Sequence, residues 1–563
     1  MADLESRFGR PITQQLMSWT VRNFKAIEFA ETPLTGLVAL AGANSSGKSS
    51  LLQSLLLLAQ SGDQEVTLNG SLVRLGTPRD VVRAGATALS IACSATVEVG
   101  KEVAEWHVEL TLRSTQDGLR VSECAVARDG EPLLLASDSR VTERAHSHVD
   151  GDRTYGDTIL RIREIGGRQA PSHTYLTFNG LAPAALHTRV DSRSTLTELR
   201  RTFSLSELRS NPEAAERFTE LVFSNFYRAQ VEKEASALTE AVRAVIGGDL
   251  FEEDTAARLS RSTLDTILVA LSERGGDGAW QPVPIRPGLA YATRRLSPRY
   301  VSLMIPSYAE AFHSLLVAND VLSRLGSSVR YLGPLREEPQ VVSKSGSRNP
   351  LSPVGLRGER TAELLSTRTR NVKFWDWDRR ERRADLTTAV SLWAGYLGIG
   401  DDVSVEDQGK LGRGLRISVN GVPRDLTMIG VGASQLLPVL AVVLDAPPGS
   451  VVLLEQPELH LHPSVQSRLG DFLLFARRDV CVVVETHSEY IITRLRRRIA
   501  ERKAGAENVH ILFAEELRGG TEVRELRVTD LGNLDDWPRG FFDAQDEEAR
   551  AIVRAIASRR STE

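Results

Sequence analysis

The chain has 563 residues, enough for three to four domains at about 150 residues each, which excludes a small disulfide-stapled fold. Its 69 basic and 73 acidic side chains leave a formal net charge of −4, and 41% of its residues are hydrophobic and 25% charged. That is the make-up of an ordinary globular protein rather than a uniformly basic nucleic-acid coat, although a local basic patch is compatible with it. Cys93, Cys124 and Cys481 stand apart, without CxxC or Cys/His spacing, so neither a disulfide framework nor a structural zinc site is indicated.

The N-terminal stretch MADLESRFGRPITQQ has no apolar core of the kind a signal peptide needs, and the leucine cluster Leu51 to Leu58 is too short to span a bilayer. The expectation is a cytoplasmic chain without membrane insertion. TVRNFKAIEFA reads as a strand, and the apolar run Leu37 to Ala41 as a second one that ends in a Gly/Ser turn before the helix SSLLQSLLLLAQ. Leu89 to Val99, Trp106 to Arg113 and Leu119 to Ala127 read as strands of an antiparallel lobe. From about 193 to 275 the spacing turns helical, which predicts an inserted helical domain. Strand signals return in VRYLGPLRE (329 to 337), LRISVN (415 to 420), SVVLLE (450 to 455) and VCVVVET (480 to 486), the last two apolar enough to be buried on both faces. The Ser, Gly, Pro and Arg-rich region 340 to 358 reads as a mobile loop.

The strongest local signal is Gly42-Ala43-Asn44-Ser45-Ser46-Gly47-Lys48-Ser49, a complete G-x-x-x-x-G-K-S between a strand and a helix. This is a phosphate-binding loop: its glycines let backbone amides face a phosphate chain, Lys48 reaches the β and γ phosphates, and Ser49 offers its hydroxyl to Mg²⁺. Ser50 follows in the same helical turn. ATP and Mg²⁺ are the cofactors to expect. Such a loop needs an acid for the metal at the end of a neighbouring buried strand, and Glu455 closes Val451-Val452-Leu453-Leu454 in that way. The next buried strand ends Glu485-Thr486-His487-Ser488, making His487 the candidate sensor of the γ phosphate. Gly430-Val431-Gly432-Ala433-Ser434-Gln435 is a glycine turn that opens an apolar helix.

NFKAI (23 to 27), GANSSGKSS, YLGPLRE, GVGASQLLP, LLEQPELHLHP and ETHSEY occur in this order at the two ends of the chain. Together they resemble the ABC-class ATPases of the RecF, SMC and OLD type, particularly the bacterial AAA proteins found near phage-defence genes. The resemblance implies an α/β fold: a two-lobed ABC-type P-loop ATPase head with an antiparallel β subdomain and an inserted helical domain. Its expected parts are an N-terminal ATPase lobe (1–190), a helical insertion (191–328), a C-terminal lobe carrying signature, metal-side acid and switch histidine (329–505), and a C-terminal extension (506–563). It also implies that Ser434, in the signature position, contacts ATP held by Lys48 of another protomer. A homodimer or higher homo-oligomer follows, as does a separately encoded effector such as a nuclease, as in Septu-like pairs.

One position departs from the family's fullest pattern. After the metal-side acid that pattern has a catalytic glutamate, whereas this chain has Gln456, which accepts no proton. Slow hydrolysis is expected, unless Glu458 or Glu485 acts as base or Gln456 positions water as a glutamine does in some GTPases. The remaining signals are weaker. Residues 368 to 383 interleave Arg368, Arg370, Lys373, Arg379, Arg380, Arg382 and Arg383 with Phe374, Trp375 and Trp377, a pattern that either grips nucleic acid or packs. Arg494 to Arg498 reads as a solvated helix face or subunit contact. A glutamine-loop equivalent is either Gln60 or near Asp80. The acids Asp535, Asp536, Asp543, Asp546, Glu547 and Glu548 read as a solvated helix start, and no nuclease site is expected in this chain. A RecF-like DNA-binding repair ATPase is the alternative function.

Overall fold

Apolar runs from the two ends of the chain meet in one parallel array. The structure, a computed structural model, describes residues 14–61, 65–99, 102–116, 118–137, 158–170, 174–189, 280–284, 309–342, 349–517, 520–536, 538, 548 and 550–555. The strands in chain order are β1 (Gln14–Phe24), β2 (Ile27–Pro33), β3 (Leu37–Gly42), β4 (Ala88–Val99), β5 (Glu102–Ser114), β6 (Leu119–Arg128), β7 (Glu131–Ser137), β8 (Thr158–Ile165), β9 (Arg168–Gln169), β10 (Thr174–Asn179), β11 (Ala182–Arg189), β12 (Trp280–Pro284), β13 (Val329–Leu332), β14 (Val372–Trp375), β15 (Glu381–Ala384), β16 (Asp402–Asp407), β17 (Arg413–Val419), β18 (Val422–Asp425), β19 (Val451–Glu455), β20 (Cys481–Glu485), β21 (Val509–Leu517) and β22 (Gly520–Leu526). The helices are α1 (Lys48–Gln60), α2 (Pro78–Val81), α3 (Ala309–Ser328), α4 (Thr361–Thr367), α5 (Leu386–Leu397), α6 (Val431–Asp445), α7 (Pro463–Phe475) and α8 (Glu489–Ala500).

The chain divides into two compact units, one of residues 1–62, 66–120 and 324–563, the other of 63–65 and 121–323. In the first, β13, β19, β20, β3 and β21 lie side by side and parallel. β19 and β20 are buried along their whole length, as strands covered on both faces must be, and their Val/Leu-rich sequences suit that setting. β21 turns back antiparallel into β22, and an antiparallel group follows in which β1 pairs with β2 and β4, and β4 with β5. The α/β class and the antiparallel β subdomain are therefore both present.

The segment expected as the single strand TVRNFKAIEFA is instead a hairpin, with Phe24 opposite Ile27. Asn23 and Lys25 adopt φ of 53° and 52° to make the turn. The turn is pinned by hydrogen bonds from Lys25 N to Val81 O at 2.7 Å and from Lys25 Nζ to Gln53 Oε1 at 2.6 Å. The strand in VRYLGPLRE stops at Leu332, and residues 349–358 make turns tied to β13, with Tyr331 N donating to Leu351 O at 2.8 Å and Ser352 Oγ to Tyr331 O at 2.9 Å.

In the second unit β6–β7, β7–β8, β8–β10, β10–β11 and β11–β12 pair antiparallel around Leu160, Ile162, Leu176 and Phe178, all buried. Asn319 on α3 donates its amide to Pro183 O at 2.7 Å. Of the expected helical insertion, residues 191–279 and 285–308 lie outside the described residues.

Candidate nucleotide site

β3 delivers its chain to the phosphate loop through three left-handed residues, Gly42 (φ 141°), Ser45 (62°) and Gly47 (91°). Glycine at 42 and 47 is also a matter of space. A Cβ on Gly42 would stand 2.2 Å from Ala514 O of β21, and one on Gly47 would stand 2.9 Å from the Thr521 side chain of β22. Ala43, Asn44 and Ser45 are exposed, Ser46 is buried, and Ser49 and Ser50 are half-buried in the first turn of α1.

Lys48 is only 4% exposed, and its ammonium donates to Gly42 O at 3.1 Å, to Ala43 O and to Ser46 Oγ at 3.4 Å. Burial lowers its pKa, while the nearby Glu485 charge works the other way. The parallel register puts Glu455 beside Glu485 and Glu485 beside Leu40, so both acids lie at the end of the sheet that carries the phosphate loop. Ser49 Oγ donates to Glu485 Oε2 at 2.8 Å. Glu455 is instead held by Tyr331, whose hydroxyl donates to its Oε1 at 2.6 Å. Burial, and then the neighbouring Glu485, push Glu455 up to about 7 despite the Tyr331 hydrogen bond, and Glu485 is raised by burial as well.

Gln456 sits at φ 43°, with its N–H donating to Glu485 O at 2.8 Å. The buried Arg336 clamps this corner, donating to Glu455 O and Gln456 O at 2.8 Å each, and burial lowers its pKa to about 10. Glu458, also buried, accepts the His487 N–H at 2.7 Å, leaving its Oε2 without a hydrogen-bond partner. His487 is exposed at its surface, yet crowding by the surrounding chain and then the Lys48 charge lower its imidazole pKa.

Residues 334–493 match a family model described as AAA domain, putative AbiEii toxin, Type IV TA system. The matched stretch holds Arg336, Ser434, Glu455, Gln456, Glu458, Glu485 and His487, while the phosphate loop precedes it. Residues 505–552 match a second model, Protein of unknown function (DUF3696). Together with the phosphate-loop sequence, the first match supports an AAA-type P-loop ATPase. No curated protein matches the chain. Among solved structures it is similar to the Smc head domain with an extended coiled coil bound to the C-terminal domain of ScpA from Pyrococcus furiosus, at 11% identity and TM-score 0.34, covering 97% of this chain and 100% of that one. The SMC head domain from Thermotoga maritima gives 8% and 0.31, covering 91% and 100%.

The remaining expected residues lie elsewhere. Ser434, in the first turns of α6, is buried and donates to Val431 O at 2.7 Å. It lines a small cavity with Glu337, Glu338, Arg357, Thr361 and Pro438. Gln60 ends α1, and its amide ties down the following loop through Thr67 O at 2.8 Å and Val73 O at 3.1 Å. Asp80 completes a capping box with Thr77.

In the basic stretch, Phe374 is buried, Trp377 stacks on Tyr396 at 4.6 Å, and Lys373 and Arg382 pair with Glu381 and Asp376 at 3.0 Å each. In RLRRR, Arg494 and Arg498 both pair with the fully buried Asp471, and Arg496 donates to Gly532 O at 2.8 Å. Asp535 accepts the Arg527 N–H and Asp536 pairs with Arg524, whereas Asp543, Asp546 and Glu547 lie outside the described residues. No helix among the described residues is long and apolar enough to cross a membrane.

Tyr331 and Arg336 both lie in YLGPLRE but carry no local sequence signal of a role, and Glu485 stands in the sequence only as a candidate base. The signal for Glu485 was the one used for Glu455: an acid closing an otherwise apolar strand.

Proposed function

We propose that the chain binds ATP with Mg²⁺, hydrolyses it slowly, and acts as a nucleotide-controlled switch that dimerises and passes its state to a separate effector, as in an anti-phage defence pair. The observation that carries this reading is the meeting of the phosphate loop, Glu455, Glu485 and the Glu458-anchored His487 at one end of the parallel sheet. Ligands of open α/β sheets bind at this end.

Lys48 and the amides of residues 42–49 bind the phosphate chain, and His487 faces its γ end. The donor set of Ser49, Glu455 and Glu485 is all oxygen, which fits Mg²⁺. When bound, the metal neutralises charge on the phosphate oxygens. Arg336 and Tyr331 hold the β19 corner in shape, and Gln456 orients water without taking its proton. Ser434 serves the nucleotide of a second copy.

The test is light-scattering mass measured together with phosphate release in Mg²⁺-ATP. The expected result is a rise in mass with ATP and little phosphate, both absent in Lys48→Ala. Brisk phosphate release that Lys48→Ala abolishes would leave the ATPase standing and remove the slow-switch part. Release unchanged in Lys48→Ala would remove the site.

A further inference from the structure

We propose that Glu485, at the end of β20, is the acid that orients Ser49 and joins it in holding the divalent cation, with Glu455 one strand further away in a supporting place. This rests on the nucleotide-binding reading above and departs from the expectation that Ser49 and Glu455 form the metal pair.

Sheet order supplies the first argument. β20 lies between β3 and β19, so Glu485 is one strand spacing, about 4.8 Å, from the strand that feeds the phosphate loop, and Glu455 is two. The hydrogen bond between Ser49 and Glu485 points the same way. A serine hydroxyl has one proton and two lone pairs. In donating that proton to Glu485 Oε2 at 2.8 Å, Ser49 keeps its lone pairs for a cation. Glu485 thus fixes the rotation of the hydroxyl and places a second hard oxygen ligand beside it.

Glu455 is engaged differently. Its Oε1 accepts the Tyr331 hydroxyl at 2.6 Å, and its backbone carbonyl accepts Arg336. These bonds tie it to β13 and to the loop after that strand. Lys48, the other charge near Glu485, is hydrogen-bonded to loop carbonyls, which leaves the carboxylate available to the cation.

The experiment uses the full chain with a non-hydrolysable ATP analogue and Mn²⁺, reading free Mn²⁺ by electron paramagnetic resonance. Analogue binding in EDTA is measured in parallel. Glu485→Gln is expected to weaken Mn²⁺ binding about tenfold or more and to exceed Glu455→Gln in its effect on Mn²⁺. Ser49→Ala, which removes the hydroxyl without touching either acid, is expected to weaken Mn²⁺ as Glu485→Gln does. Wild-type Mn²⁺ affinity in Glu485→Gln, with the loss falling on Glu455→Gln, overturns the inference and leaves the nucleotide site intact. A wild-type chain that binds no analogue even in EDTA overturns the nucleotide reading itself.

Discussion

Gly47 shows two constraints acting on a single residue of the phosphate loop. Its φ of 91° is one that side chains rarely adopt, and a Cβ would press on Thr521 at 2.9 Å. Gly47→Ala is therefore expected to cost about 1–3 kcal/mol of stability in urea unfolding, with nucleotide affinity lost as the amides turn away. Full retention of both would show that the loop relaxes at no cost. The left-handed conformation of Gln456 has a different origin. Its N–H bonds to Glu485 O and its carbonyl to Arg336, so the backbone at this position is held from two sides whatever its side chain does. The motif spacing was enough to read the loop itself. The bond from Ser49 to Glu485 crosses 436 residues of chain, and no local pattern encodes such a contact.

Among the elements, α8 differs most from its sequence reading. RLRRR looks like a solvated face, yet Arg494 and Arg498 turn onto Asp471 of α7, which is 0% exposed and also accepts the Tyr396 hydroxyl. Burial alone would raise the Asp471 pKa, but the Arg498, Arg494 and Tyr396 hydrogen bonds outweigh it and the net shift is downward. An acid whose pKa is lowered on folding stabilises the fold above its unfolded value, here 3.8, and that contribution is lost as pH falls through the lower folded value. Asp471→Asn is expected to cost about 3–5 kcal/mol near neutral pH, because two arginines are left without their counter-charge. Thermal melts should then show a loss of stability below pH 3.8 in the wild type that the variant lacks. Equal melts at neutral pH would show that α7 and α8 are held by their apolar contacts alone. The run Arg494 to Arg498 was legible only as a solvated helix face or subunit contact, and which of its arginines would find a buried partner depended on α7 packing across it.

For the molecule as a whole, the central sheet takes strands from both ends of the chain. β21 pairs with β3 from Val509↔Leu37 to Ala514↔Gly42, so the segment after 505 forms one wall of the phosphate loop. A chain ended at residue 505 is expected to be insoluble or unable to bind ATP, because it uncovers a full edge of β3. A soluble truncated chain with wild-type ATP affinity would show that β21 only decorates the sheet. Residue order alone established the phosphate loop, the two buried acid-tipped strands and the position of Gln456, since each lies in a short motif or a short apolar run, while the α/β class was implied by the resemblance of the motifs to a known family. Only the tertiary structure decided that NFKAI is the corner of a hairpin, that β20 stands between β3 and β19, and that Ser49 meets Glu485 first. Strand order and side-chain pairing depend on which distant segments pack together, and that information is spread over the whole chain.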